Sequence, residues 1–260
     1  MKKRALITGA SSGIGREFAR IHAEKGGDLV IVARSEDKLN SLKKELFEKY
    51  GTEVKVIVKD LSRSDSAREI YDEVINDNIE VDFLINNAGF GGRGLFYERD
   101  WEKDLAMISV NVIALTALTR FFLPRFVKRN SGRILNVSST AGLLPGPLQA
   151  VYFATKAYVT SFSNAIAEEL AGTNVTVTAL LPGATATEFS STAGLEKTDL
   201  FKKAYSPFDV ALKGYDGMLK GKLNVIAGVG IAQRIQLALI PFSPKKIALK
   251  QMKNMQKIRE

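Results

Sequence analysis

Seven short apolar runs separated by longer amphipathic stretches constrain this chain more than any other feature. The runs fall at residues 5–8, 29–33, 54–58, 81–85, 134–137, 175–181 and 225–227, and each has the length of a β-strand. They are rich in β-branched residues, and several are apolar throughout, as strands covered on both faces are. Between them, residues 14–25, 36–50, 64–76, 101–129 and 150–171 read as helices. This alternation predicts right-handed βαβ crossovers and an α/β fold, a doubly wound, mostly parallel seven-stranded sheet with helices on both faces. No repeat, low-complexity stretch or linker divides the 260 residues, so one domain over 1–260 is expected.

Composition then narrows the chemistry. With 45% hydrophobic and 25% charged residues the chain is globular in type, which excludes disorder. Cys is absent, so disulfides, thiol catalysis and Cys-based metal centres are excluded; a reducing, cytoplasmic location is expected. The single histidine, His22, leaves no metal site expected and no Ser-His-Asp arrangement unless His22 itself serves. Charge is unevenly placed. Residues 201–260 hold 12 of the 37 basic side chains but only three of the 28 acidic ones, so they carry the whole net charge of +9. No aromatic–basic alternation accompanies that excess, and a nucleic-acid partner is not expected. The apolar run after Met1-Lys2-Lys3-Arg4 stops at Thr8-Gly9, too short for a signal-peptide core. No window of about 18 apolar residues is found, so no transmembrane helix is expected.

The sharpest motif is Thr8-Gly9-Ala10-Ser11-Ser12-Gly13-Ile14-Gly15, placed between the first strand and the first helix. Gly9 permits a tight turn, and Gly13 lets the backbone approach a pyrophosphate. Gly15 lets the helix pack close to the strand, while the helix N-terminus offers free N–H groups to the anion. A dinucleotide is the ligand this context suits.

The Gly-x-x-x-Gly-x-Gly spacing resembles that of the short-chain dehydrogenase/reductase family. Asn86-Asn87-Ala88-Gly89 after the fourth strand, Tyr152-x-x-x-Lys156 on a later helix, and Pro182-Gly183 closing the sixth strand agree with it. The resemblance runs from Ala5 to about Phe189 and implies a Rossmann-type nicotinamide-dinucleotide site. The second strand ends in Ala33-Arg34, with Ala33 where the family's NAD users carry an acid. A guanidinium there can grip a 2′-phosphate and stack on adenine, so NADP(H) is the expected cofactor. The resemblance further implies adenine contacts from Asp60 and Leu61. It places Asn87, Ala88 and Gly89 along the ribose, and Thr185 and Thr187, after Pro182-Gly183, against the carboxamide and phosphates.

Tyr152 and Lys156 are four residues apart and share a helix face. A nearby ammonium should lower the phenol pKa from about 10 toward the working range, making Tyr152 the general acid/base. Ser139, thirteen residues before Tyr152, stands at the family's catalytic spacing and is chosen over Ser138 to hold the substrate oxygen. Asn111 matches the fourth catalytic position, and a mid-helix Asn is mildly unfavourable. By resemblance it holds a water that links Lys156 to solvent, and Lys156 also binds the nicotinamide ribose.

The implied activity is hydride transfer between the cofactor and a carbonyl or secondary alcohol; the alternative is a dinucleotide-binding sensor or scaffold without turnover. Substrate contacts are expected from residues 90–96, 142–148 and a lid at about 188–210. The lid's Leu195, Leu200, Phe201 and Phe208 suit a hydrophobic or acyl-like small molecule. The helices at 101–129 and 150–171 carry surplus apolar residues, so a homodimer or homotetramer is expected. In the basic segment 231–260, Ile247, Met252, Met255 and Ile258 can share one helical face amid Lys245, Lys246, Lys250, Lys253, Lys257 and Arg259. That pattern fits a tail packed on its own domain or a neighbour; the other reading is a weak, reversible membrane-surface contact.

Overall fold

The computed structural model describes every residue except 1, 197, 199–200, 202–203, 240–243 and 257–260. Leu200, Lys257, Ile258 and Arg259, named above, lie outside the described residues. In chain order the elements are β1 (Arg4–Thr8), α1 (Gly13–Glu24), β2 (Asp28–Ala33), α2 (Glu36–Tyr50), β3 (Val54–Val58), α3 (Ser66–Asn76) and β4 (Phe83–Asn86). There follow α4 (Trp101–Ile108), a π-helical turn (Ser109–Ala114), α5 (Leu115–Lys128), β5 (Gly132–Val137) and α6 (Ala150–Glu169). The chain continues through β6 (Val175–Pro182), α7 (Phe189–Thr192), α8 (Pro207–Leu219), β7 (Asn224–Ala227), α9 (Ile231–Leu239) and α10 (Lys245–Met255).

All seven expected strands form, in the order β3-β2-β1-β4-β5-β6-β7, and every pairing is parallel. Alternate residues explain the burial on both faces. Ala5 and Ile7 pack under α1, α2 and α8 with Phe18, Leu39 and Met218. Leu6 points to the other layer, with Ile70 of α3, Phe122 and Phe126 of α5 and Ile166 of α6. Because β2 and β4 flank β1 and the chain winds outward in both directions, a crevice opens at the carboxyl ends of β1 and β4, where such sheets bind ligands.

Trp101–Lys128 is continuous and, by length and composition, long and apolar enough to cross a membrane. Its Met107, Leu118, Phe122 and Phe126 are almost wholly buried against the rest of the protein, so it is a core helix. His22 has no catalytic role, because its ring is buried between the Tyr215 hydroxyl, 2.8 Å from Nδ1, and the Lys3 carbonyl, 3.0 Å from Nε2.

Candidate active site

The turn between β1 and α1 is built by its glycines and by Asn87. Gly9 and Gly13 take φ of +66° and +53°, the left-handed region that L side chains avoid. A Cβ on Gly13 would meet Thr187 Cγ2 at 2.9 Å, and one on Gly15 would land on the Gly9 carbonyl. Thr8 Oγ1 accepts from the N–H groups of Asn87 and Ala88, both at 3.0 Å. The Asn87 amide donates back to the Thr8 carbonyl at 2.9 Å and the Gly9 carbonyl at 3.2 Å. Asn87 therefore braces the turn, and its amide protons are not free for a ribose. Sequence reading missed Thr8, whose short run resembles any strand end. Ser12 caps α1 without a side-chain hydrogen bond, so the first N–H groups of that helix remain available to an anion.

At the far end of the crevice, Arg34 is exposed on the rim and has no hydrogen bond or salt bridge among the described residues. Asp60 sits beside it. Partial burial pushes its carboxyl up, but bonds from the Ser62 N–H and hydroxyl and the charges of Arg34 and Arg63 outweigh this and hold it below the usual range. Lys38 of α2 also lines the crevice, its ammonium 2.7 Å from Glu188 at the start of the lid. Exposed lysines on a helix carry no distinguishing sequence signal, and Lys38 was not foreseen.

The reacting centre sits where β5 ends. Ser138 is fully engaged: its hydroxyl donates to the Lys156 carbonyl at 2.7 Å and lies 2.7 Å from Thr160 Oγ1. Ser139, just past the strand, instead lines the cavity with Tyr152; its hydroxyl accepts from the Ala141 N–H at 3.1 Å and lies 3.4 Å from the Pro182 carbonyl. Burial pushes the Tyr152 phenol up to about 12, against the smaller lowering effect of Ser139. Burial alone pushes the Lys156 ammonium down to about 8. The expected lowering of the phenol by Lys156 is thus not found in the site as it stands. Lys156 Nζ donates to the Val137 carbonyl at 2.9 Å and lies 5.8 Å from the Tyr152 ring centre. At that separation, with both groups buried, desolvation is the larger effect.

Asn111 lies behind the reacting centre and off the cavity wall. It lies in the π-helical turn, a feature often found at functional sites, and is wholly buried. Its Oδ1 accepts from the Phe90 N–H at 3.1 Å; its Nδ2 donates to the Phe90 carbonyl at 3.0 Å and to Thr155 Oγ1 at 3.1 Å. Both amide protons and one lone pair of Oδ1 are occupied in clamping residue 90 to α6.

These groups border one cavity of about 1200 Å³, lined by every expected site residue except Gly15 and Asn111. The residues fit a nicotinamide dinucleotide. A glycine cradle and helix N-terminus lie at its centre and a free guanidinium at one end. At the other end, the lysine ammonium has a single hydrogen bond among the described residues, leaving donors for sugar hydroxyls. Beyond Tyr152 the wall is apolar, with Phe153, Phe189 and Met252 packed around the phenol. Phe201 stacks on Phe189 at 6.3 Å between centres, and Leu195 is buried; Phe208, in α8, is exposed and lies off the cavity. Ile247, Met252 and Met255 of α10 border the cavity, so the described part of the basic tail lies beside its own site.

Fold and site together define a dinucleotide-binding α/β protein with a Ser–Tyr–Lys centre at the carboxyl edge of the sheet. The chain belongs to the short-chain dehydrogenase family, whose model matches residues 3–198. A very-long-chain 3-oxoacyl-CoA reductase of Mus musculus is 35% identical over 210 residues, 78% of this chain and 65% of the relative. This chain therefore spans just under two thirds of that reductase's length. The uncharacterized oxidoreductase YvrD of Bacillus subtilis is 36% identical over 211 residues, covering 78% of this chain and 79% of that one. Among solved structures, a short-chain dehydrogenase from Sphingobium yanoikuyae in complex with NADPH has a TM-score of 0.84 at 32% identity. It covers 99% of this chain and 96% of that one. A 7β-hydroxysteroid dehydrogenase has a TM-score of 0.85 at 29% identity, covering 96% of each.

Proposed function

We propose that the protein is an NADP(H)-dependent oxidoreductase that reduces the carbonyl group of an apolar or acyl-like substrate and, in reverse, oxidises the alcohol. The observation that carries this reading is the convergence of Ser139, Tyr152 and Lys156 on one cavity wall, at the junction between the glycine cradle and the apolar chamber. A bound nicotinamide supplies the hydride. Ser139 donates a hydrogen bond to the substrate oxygen, where negative charge develops. Tyr152, protonated at neutral pH, gives that oxygen its proton, and the Lys156 ammonium stabilises the phenolate left behind. A complete reaction centre argues against a scaffold without turnover. Preference for NADP(H) rests on Arg34, with Ala33 in place of an acid, and the NADPH complex of the Sphingobium relative supports it.

The test is a panel of ketones, aldehydes and β-ketoacyl thioesters with NADPH and NADH, followed at the nicotinamide absorbance. NADPH-dependent turnover that vanishes in Tyr152→Phe supports the proposal; equal use of both cofactors defeats the NADP preference, and no turnover on any carbonyl defeats the activity.

Two features of assembly belong to the same reading. Trp101, Leu105 and Ile113 on one helix and Tyr158 on α6 are exposed large apolar residues, and a homodimer or homotetramer would cover them. A monomer by light scattering at micromolar concentration rejects this. Ile231, Ile235 and Ile247 are exposed beside Lys245, Lys246, Lys250 and Lys253, which suits weak contact with an anionic membrane surface. Salt-sensitive co-sedimentation with anionic vesicles, lost in an Ile231→Asp/Ile235→Asp variant, supports it; unchanged co-sedimentation rejects it.

A further inference from the structure

A carboxylate borders the cradle that is built for an anion. Asp60 and Glu188 are the two carboxylates among the described residues lining the cavity. Asp60 is held by the N–H and hydroxyl of Ser62. Glu188 follows Thr187, whose Cγ2 would meet a Cβ on Gly13 at 2.9 Å, so it adjoins the glycine turn. A negative side chain there opposes the negative charge that the turn and the α1 N-terminus are shaped to hold, and its presence calls for an explanation.

What this carboxylate holds is Lys38. Lys38 Nζ donates to Glu188 Oε1 at 2.7 Å, a bond between residues 150 positions apart that joins α2 to the start of α7. Arg34, four residues before Lys38, lines the same cavity. Lys59 lines it too, but pairs at 2.8 Å with Glu69, which lies off the cavity and so adds no opposing charge there. The Lys38 and Glu188 side chains are 49% and 62% exposed. An exposed pair of this kind is weak and the lysine stem is flexible, so the ammonium can change partner at little cost. The bond from Lys38 holds the Glu188 carboxyl below its usual range, so the competing charge is fully present at neutral pH.

We propose that Glu188 is a built-in competitor for the 2′-phosphate of NADP(H), and that Lys38 is the specificity residue it withholds. The phosphate carries more charge than a carboxylate and has three acceptor oxygens, enough to engage Arg34 and Lys38 together. Lys38 therefore passes from Glu188 to the phosphate. NAD(H), which has no such group, leaves the ion pair closed. Glu188 immediately precedes Phe189, whose ring lies 5.2 Å from that of Tyr152. The exchange thus frees the first residue of the lid only when the phosphorylated cofactor binds, which ties cofactor identity to the wall of the substrate chamber. The inference rests on the reading of Arg34 as the 2′-phosphate residue.

The experiment measures the calorimetric Kd of adenosine 2′,5′-bisphosphate and of adenosine 5′-monophosphate on the full chain. The two probes differ by the 2′-phosphate alone, so their affinity ratio isolates that group. Lys38→Met should lower the ratio by about tenfold. Glu188→Gln should raise it by about twofold to fivefold, the worth of the exposed pair that no longer has to be broken. In a Lys38→Met background, Glu188→Gln should leave the ratio unchanged, because nothing remains to compete for. Both positions are exposed, so these variants are expected to fold. A rise that persists without Lys38 reports repulsion alone and overturns the proposal, as does a ratio that Glu188→Gln leaves unchanged or lowers. A ratio lost in Arg34→Met but kept in Lys38→Met rejects the exchange and leaves the NADP(H) reading standing. A wild-type ratio near one overturns both.

Discussion

Lys156 donates to the Val137 carbonyl at 2.9 Å, which ties its ammonium to the end of β5 rather than to the phenol one helical turn away. Because both side chains are buried, Tyr152 rises to about 12 and Lys156 falls to about 8, so the ammonium titrates first as pH rises. Once it is neutral, the phenolate formed on proton donation has no nearby positive charge to stabilise it. We expect kcat/KM for ketone reduction to be level below pH of about 8 and to fall above it, a limb that Lys156→Met removes. A profile that stays flat through that range would contradict the assignment.

The neighbouring serines should separate in their effects. Ser139→Ala removes the hydroxyl proposed to hold the substrate oxygen, and kcat should fall by about 100-fold with little change in thermal stability. Ser138→Ala removes bonds to the Lys156 carbonyl and to Thr160, and should act on stability, by about 1 kcal/mol. Denaturant melts and steady-state kinetics on both variants check this. A larger loss of kcat in Ser138→Ala would reverse the choice between them.

The strands, the helices and the glycine turn were legible because each leaves a local pattern, either continuous apolar runs, helical spacing or glycine at positions of positive φ. Ser139 and Lys156 were legible through their spacing from Tyr152. What escaped is set by three-dimensional packing. Asn111 identifies itself as an unfavourable mid-helix residue, but only the structure shows that it sits in a π-helical turn and clamps residue 90. The order of the Tyr152 and Lys156 pKa values depends on desolvation, which no local sequence window reports. The tail's amphipathic pattern was compatible with both a membrane and a protein surface; the position of Met252 against Phe153 and Tyr152 brings that part of it to the site.

The glycine turn makes a stability claim as well as a binding one. A Cβ on Gly15 would occupy the space of the Gly9 carbonyl and the Asn87 amide, so Gly15→Ala must displace the turn from its brace. Overpacking of this kind costs about 1–3 kcal/mol. We expect Gly15→Ala to unfold at lower denaturant and to bind NADPH at least about tenfold more weakly, by calorimetry. Wild-type affinity in this variant would show that the turn does not hold the dinucleotide.

The last prediction concerns His22, which lies outside the site but governs acid stability. The Lys3 carbonyl can only accept, so Nε2 carries the proton and Nδ1 accepts from the Tyr215 hydroxyl, which fixes a neutral ring. Burial lowers the pKa of this ring below its usual 6.5, the bonds to Lys3 and Asp28 offsetting only part of the effect. The unfolded chain therefore binds a proton near pH 6.5 that the folded protein refuses until lower pH. Between those two values the unfolded state holds more protons, so stability rises with pH and is lost as pH falls through about 6.5. The loss approaches about 1.4 kcal/mol per pH unit at most. Urea midpoints measured between pH of about 7.5 and 5.5 should decline in the wild-type protein. His22→Gln should be less stable at neutral pH, because the Tyr215 hydroxyl loses its partner, but its midpoint should decline less over the same range. An equal decline in both proteins would place the acid sensitivity elsewhere.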